Sequence, residues 1–221
     1  TASIGRRDLR LTERGGGSYT FIMPGGEVDV EASFRLREGG TLPFTDIPEG
    51  FWCYDEVGYV YERGLMNGTG PATFTPNGST TRSMIVAILY RMEGSPAVAP
   101  GAFTDVSADM YYASAVAWAS ANGIVNGYSD GAFRPGAAIT REQLAAFLYR
   151  YARYKGGDIS GRADLSAYAD AAGIAGYAVE AMAWANAAGL INGTSQTTLS
   201  PRGTATRAQA AVILTRFARD F

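Results

Sequence analysis

Arg82, Arg141 and Arg207 each directly follow a threonine that opens an apolar run of helical period. A threonine in that place reads as a helix N-cap, so each arginine falls at the first helical position. A cation there opposes the helix dipole and costs roughly a few tenths of a kcal/mol. Helix stability alone would favour Asp or Glu. A guanidinium beside free helix N–H groups is instead a receptor for a carboxylate. The structural alternative is that each arginine bridges to Asp46, Asp105 or Asp170 and locks neighbouring segments together. These aspartates precede the first helix of each segment, where they either accept hydrogen bonds from sugar hydroxyls or serve as caps and turn-formers. Trp52, Tyr111 and Tyr177 stand six or seven residues beyond them. Their rings suit stacking on a pyranose face, and equally an ordinary place at the rim or in the core.

Other chemistry is excluded by what is missing. The 221 residues contain no histidine, which removes Ser-His-Asp and Cys-His catalysis and the commonest transition-metal ligand. Cys53 is the single cysteine. It reads as a partly buried, unpaired thiol without a basic neighbour in sequence to activate it. A net charge of −2 and the absence of any basic run give no field for nucleic acid or anionic lipid. No apolar stretch approaches the roughly 18 residues that a membrane span needs, so no membrane insertion is expected. A carboxylate pair is the one remaining route to a glycosidase. The aspartates come one per segment, which suits repeated binding better than one asymmetric active site. The chain is read as non-enzymatic, with no catalytic residue, no metal and no cofactor.

The segments that position these residues are copies of one unit. Phe44, Asp46, Gly64, Asn67, Gly68, Phe74, Pro76, Thr81 and Arg82 recur 59 residues later as Phe103, Asp105, Gly123, Asn126, Gly127, Phe133, Pro135, Thr140 and Arg141. A further shift of 66 residues gives Gly189, Asn192, Gly193, Leu199, Pro201, Thr206 and Arg207, with the aspartate slipped by one to Asp170. Each copy reads as helix, loop, helix. In copy two the first helix is predicted over Tyr111–Asn122, with Gly123 as a left-handed stop. Thr140 and Gln143 form a capping box, repeated by Thr206 and Gln209, whereas copy one has Met84 at that place. Leu144, Phe147, Leu148 and Tyr151 make an apolar stripe, matched by Ile85, Ile88, Leu89 and Met92 and by Ala210, Ile213, Leu214 and Phe217. Trp118, Trp184 and the matching Tyr59 read as core. One such unit cannot bury its stripe alone. Three predict a cooperative body of approximate three-fold symmetry, or an open solenoid.

The expected fold is therefore mainly α: three helix-loop-helix repeats forming a pseudo-three-fold helical body, with a short N-terminal β-hairpin. The hairpin is read from alternation along Ser18–Phe34, broken at Pro24-Gly25-Gly26. A lone hairpin is marginal in water, so residues 1–40 read either as the remnant of an upstream β domain, the chain then being a piece of a longer protein, or as a hairpin that packs on the helical body. The repeats are placed at 41–95, 100–156 and 163–221, joined by Gly/Pro/Ser-rich connections.

The FTDI, GLMNG, FTPN and TTRSM runs of copy one, FTDV, GIVNGYSDGAFRP and ITREQ of copy two, and YAD, GLING, LSP and ATRAQ of copy three carry a resemblance. The chain resembles the S-layer homology domain family, found as three tandem copies in secreted proteins of Gram-positive and related bacteria. The resemblance runs from Leu42 to the C-terminus. It implies a three-pronged helical body at the cell surface, attached non-covalently to the wall. Grooves between the prongs would bind a secondary cell-wall polysaccharide, often through a terminal pyruvylated sugar. Carried onto this chain, the binding residues would be Asp46, Trp52, Arg82, Asp105, Tyr111, Gly127, Arg141, Asp170, Tyr177, Gly193 and Arg207. Copy two lies closest to the family pattern; copy three lacks the YSDG loop and copy one has TGPAT in its place. The competing reading is a protein–protein scaffold or self-assembly module.

Overall fold

The structure, a computed structural model, describes residues 41–101 and 103–221, together with four short strands nearer the N-terminus. Residues 1–38 and 39–221 are separate compact units. In the first, β1 (Ala2–Ile4) pairs antiparallel with β2 (Arg7–Leu9). β3 (Thr12–Gly15) pairs antiparallel with β4 (Ser18–Thr20), with a register shift between Glu13 and Gly15. The expected hairpin starts within β4; its residues 21–34 lie outside the described residues.

The second unit is helical. Each copy contributes a short first helix, α1 (Tyr54–Glu62), α3 (Ala113–Ala121) and α5 (Val179–Ala187), and a longer second one, α2 (Arg82–Met92), α4 (Arg141–Lys155) and α6 (Arg207–Asp220). The first helices begin without a side-chain cap. α3 opens two residues later than predicted, leaving Tyr111 ahead of the helix rather than in it. Each stops at a left-handed glycine: Gly64, Gly123 and Gly189 have φ of 63, 65 and 66°. The chain then doubles back, the Leu65, Ile124 and Leu190 amides each donating to a carbonyl five residues earlier at 2.8 Å. This tucks Ile124 and Val125 and their counterparts into the core. The second helices are capped by threonine. Thr140 and Thr206 make complete capping boxes, and Thr81 only the half that Met84 permits.

The second helix of each copy packs on the first helix of the next: α2 on α3, α4 on α5, and α6 back on α1. The last contact closes a ring, so the copies do not form an open solenoid. The predicted stripes fill its interior, with Met92 alone among them half-exposed. Trp118 and Trp184 are buried as expected, whereas Tyr59 is half-buried beneath the Arg63 and Arg219 guanidiniums. A triangle of backbone hydrogen bonds links the three copies. Thr80 N–H donates to Ala205 at 3.0 Å, Ile139 N–H to Thr80 at 2.9 Å, and Ala205 N–H to Ile139 at 3.1 Å.

Candidate functional site

The three arginines carry the ring's handover into its loops. Arg82 of copy one donates from Nε to the Phe133 carbonyl at 2.9 Å and from Nη2 to that of Asn126 at 3.2 Å, both in copy two. Arg141 does the same with Leu199 (2.8 Å) and Asn192 of copy three. Arg207 returns to copy one through Phe74 (2.8 Å) and Asn67 (2.6 Å). The three residues are 4, 6 and 8% exposed. Burial lowers each guanidinium pKa from its usual value. All still remain charged, because the starting value is so high. Hydrogen bonds from a charged donor contribute roughly 1.5–3 kcal/mol each, so the arginines hold the ring together.

They also retain a donor edge. Among the described residues Nη1 of each has no hydrogen-bond partner, yet it is not sealed: Thr80 Oγ1 is the one buried side-chain N or O atom without a partner among them. Each Nη1 therefore reaches solvent. The helix N–H groups beside it are not free, contrary to the expectation from sequence. The Arg82, Arg141 and Arg207 amides donate to Ala137, Gly203 and Gly78, and the next amides to Pro135, Pro201 and Pro76, all at 2.8–3.1 Å. The third amide is taken by the capping threonine. Any acid bound here meets a guanidinium edge and not a helix terminus.

The aspartates neither cap the first helices nor form close ion pairs with the arginines. Each clamps the loop of its own copy. Asp46 accepts from the Phe74 and Thr75 amides (2.8 and 2.7 Å), Asp105 from Phe133 and Arg134 (both 2.7 Å), and Asp170 from Leu199 and Ser200 (both 2.8 Å). The second residue of each pair is left-handed: Thr75, Arg134 and Ser200 have φ of 58, 58 and 52°. Non-glycine residues rarely take this conformation, and the paired carboxylate bonds hold it. Aspartate and arginine thus grip one peptide from two sides, the aspartate its N–H and the arginine of the preceding copy its C=O. Sequence reasoning missed this clamp. Its trace is the non-glycine residue before each loop proline in the repeat.

Gly127 and Gly193 have a packing role. A Cβ on Gly127 would lie 2.3 Å from Phe103 Cε1, and one on Gly193 2.8 Å from Tyr168 Cε1. Tyr168 therefore fills the place of the phenylalanine that copy three lacks.

Trp52, Tyr111 and Tyr177 are all exposed, by 62, 63 and 54%. These are rim positions, and among the described residues only Tyr177 of the three has a side-chain hydrogen bond. Glu142, the residue after Arg141, is buried and accepts from the Ala175 amide at 2.9 Å and the Tyr177 hydroxyl at 3.4 Å. Burial and Glu142 push the Tyr177 phenol up to about 12. Ser83 and Ala208 stand where Glu142 does, so Trp52 and Tyr111 have no such carboxylate. Tyr128 is a further residue that sequence reasoning left aside. Its ring lies 5.1 Å from the Arg82 guanidinium and 3.9 Å from that of Arg134, and its hydroxyl is 3.3 Å from Gln143 Nε2.

Fold and junctions define a closed α-helical ring of three repeats, each repeat pinned to the next by a buried arginine. The S-layer homology domain model matches residues 43–83, 102–145 and 167–211, more than half of the chain, and the chain belongs to this family. Membership makes it an attachment module at the bacterial cell surface. It is 29% identical over 84% of its length to an endoglucanase of Bacillus sp. (strain KSM-635), and 30% over 77% to an amylopullulanase of Thermoanaerobacterium thermosulfurigenes. It is 29% identical over 75% of its length to the surface-layer 125 kDa protein of Lysinibacillus sphaericus. The shared segment covers 20, 9 and 14% of those proteins, so the chain spans a fifth of their length or less.

Proposed function

We propose that this chain attaches a larger protein to the cell wall by binding a wall polysaccharide, non-covalently, at the junctions between its repeats. The sugar recognised carries a carboxylate, a terminal pyruvyl ketal being the form that the family resemblance implies. The observation behind this reading is the Nη1 donor edge of three buried, pre-oriented arginines. A guanidinium already fixed by two carbonyls loses little further entropy when it donates to a carboxylate. Exposed aromatics at the rim suit a pyranose face. Asp46, Asp105 and Asp170 have both oxygens engaged by backbone, so they shape the loop and keep only their second lone pairs for a sugar hydroxyl. Gly127 and Gly193 serve by fit, letting an aromatic ring close on the loop. The relatives named for enzymes suggest that the larger protein varies while this segment stays.

The test is co-sedimentation of the chain with purified sacculi, before and after hydrofluoric acid strips the secondary polysaccharide. Binding should vanish on stripping and weaken about tenfold in Tyr177→Ala, in line with the loss of one sugar-stacking aromatic. Arg82→Ala should also weaken it, and its melting curve must be measured alongside because the ring is disturbed. Binding that survives stripping would sink the polysaccharide reading in favour of a protein or peptidoglycan ligand.

A further inference from the structure

We propose that the three junctions are not equivalent, and that the one at Arg82 alone takes the acidic sugar, selected by Tyr128 and Arg134. This rests on the polysaccharide reading above and narrows it to one site per chain.

The repeat register supplies an internal comparison. Positions 69, 128 and 194 correspond, as do 75, 134 and 200. In copies one and three the pair is closed by a short hydroxyl contact, Thr69 to Thr75 at 2.6 Å and Thr194 to Ser200 at 2.8 Å. In copy two the same two positions hold Tyr128 and Arg134, with the guanidinium over the ring. The turn does not need them. Thr75 and Ser200 adopt the same left-handed backbone behind the same aspartate clamp. Arg134 therefore adds a second cation beside Arg82 for a reason other than folding. Its partner Asp130 is an exposed i,i+4 pair at 3.0 Å. Such pairs contribute little, so a ligand carboxylate can compete for the guanidinium.

Two more departures from symmetry fall at this junction. Glu142 tethers Tyr177, whose phenol interacts electrostatically with Arg82 and Tyr128, while Ser83 and Ala208 leave the other rims untethered. Arg91 and Arg216 cap the ends of their own first helices by donating to Leu65 and Gly189, both at 2.9 Å. Their counterpart Arg150 makes no hydrogen bond or ion pair among the described residues, and it lies within electrostatic reach of Tyr177. Two guanidiniums around one tyrosine, with a second tyrosine held in place, match an anionic ring better than a neutral one.

The test is isothermal titration of the chain with the methyl glycoside of a pyruvyl-ketal hexopyranose, which carries one carboxylate, and with its neutral methyl ester. We expect one equivalent of the acid to bind, and the ester about tenfold or more weakly, from the loss of charge-assisted bonds. Tyr128→Thr/Arg134→Thr installs the pair that copy one carries at Thr69 and Thr75, so its melting curve should match the parent. The variant should lose about tenfold or more in affinity for the acid. Two or three equivalents bound, or an unchanged affinity in the variant, would overturn this inference and leave the polysaccharide reading intact. The same holds if the chain sediments with unstripped walls but ignores the acid glycoside. Failure to bind any wall would overturn both.

Discussion

Thr80 and Asp170 show how differently two polar residues can stand in one ring. The Thr80 hydroxyl is buried without a partner, at the position where copies two and three carry Ile139 and Ala205. Replacing it with isosteric Val removes an unsatisfied group, and Thr80→Val should stabilise the chain by about 1 kcal/mol in urea unfolding. Asp170 is the opposite case. The Leu199 and Ser200 amides hold its carboxyl below the usual carboxylate range, with Arg141 adding to the effect. The folded state therefore binds that proton less readily than the unfolded chain, whose aspartates titrate at about 3.9. Its contribution is complete above that value and disappears as pH falls through the lower folded value. Melting temperatures measured from pH 7 to pH 3 should fall at the acid end, and less steeply in Asp170→Asn. Gly127 leaves no such latitude. Gly127→Ala sets a methyl against both the Phe103 ring and the Ala132 carbonyl, and overpacking of this kind should cost about 1–3 kcal/mol.

At the level of elements, each second helix does two jobs at its N-terminus. Its threonine satisfies one orphan amide, and the next copy's loop satisfies two others. This arrangement explains why an arginine is tolerated at a helix end that disfavours cations. Its charge is spread over two loop carbonyls, which a lysine could not bridge in the same plane. Arg207→Lys should accordingly destabilise the chain by about 1–3 kcal/mol in chemical denaturation, despite conserving charge. A mere helix-dipole role would leave stability unchanged. The joints between elements also differ. Glu93 accepts from Tyr151 at 2.6 Å and Lys155 at 2.8 Å, a link between copies one and two.

For the whole molecule, closure is the governing fact. α1 meets its partner α6 only when the chain returns from its far end. The Arg207 bonds to Asn67 and Phe74 span 140 and 133 residues. No copy has its own complete core, so unfolding should be a single cooperative transition by circular dichroism and intrinsic fluorescence alike. Removing residues 163–221 would expose Val57 and Val60 on α1 and leave Arg141 without Leu199 and Asn192. That truncation should lose cooperative melting and become protease-sensitive throughout, rather than shed one third of a stable array. A truncated chain that still melts cooperatively would show the copies to be independent.

Periodicity in the chain was enough to determine three units, their capping threonines, the glycine stops and the apolar stripes, because each depends on neighbours within a few residues. The same local logic identified Arg82, Arg141 and Arg207 as anomalous, since a cation at a helix start is visible without a fold. What the anomaly is for depended on contacts between copies. Only the ring shows that the nearby helix amides are occupied by loop carbonyls of the next copy, that the arginines grip carbonyls and not the aspartates, and that the aspartates hold a left-handed residue. The sequence set copy two apart by its loop but could not assemble a junction around it, because Tyr128, Arg134, Glu142, Arg150 and Tyr177 come from separate stretches and gain their shared meaning only where closure brings them together. Local propensity is written residue by residue, whereas a binding surface assembled across repeats exists only once the last helix has packed against the first.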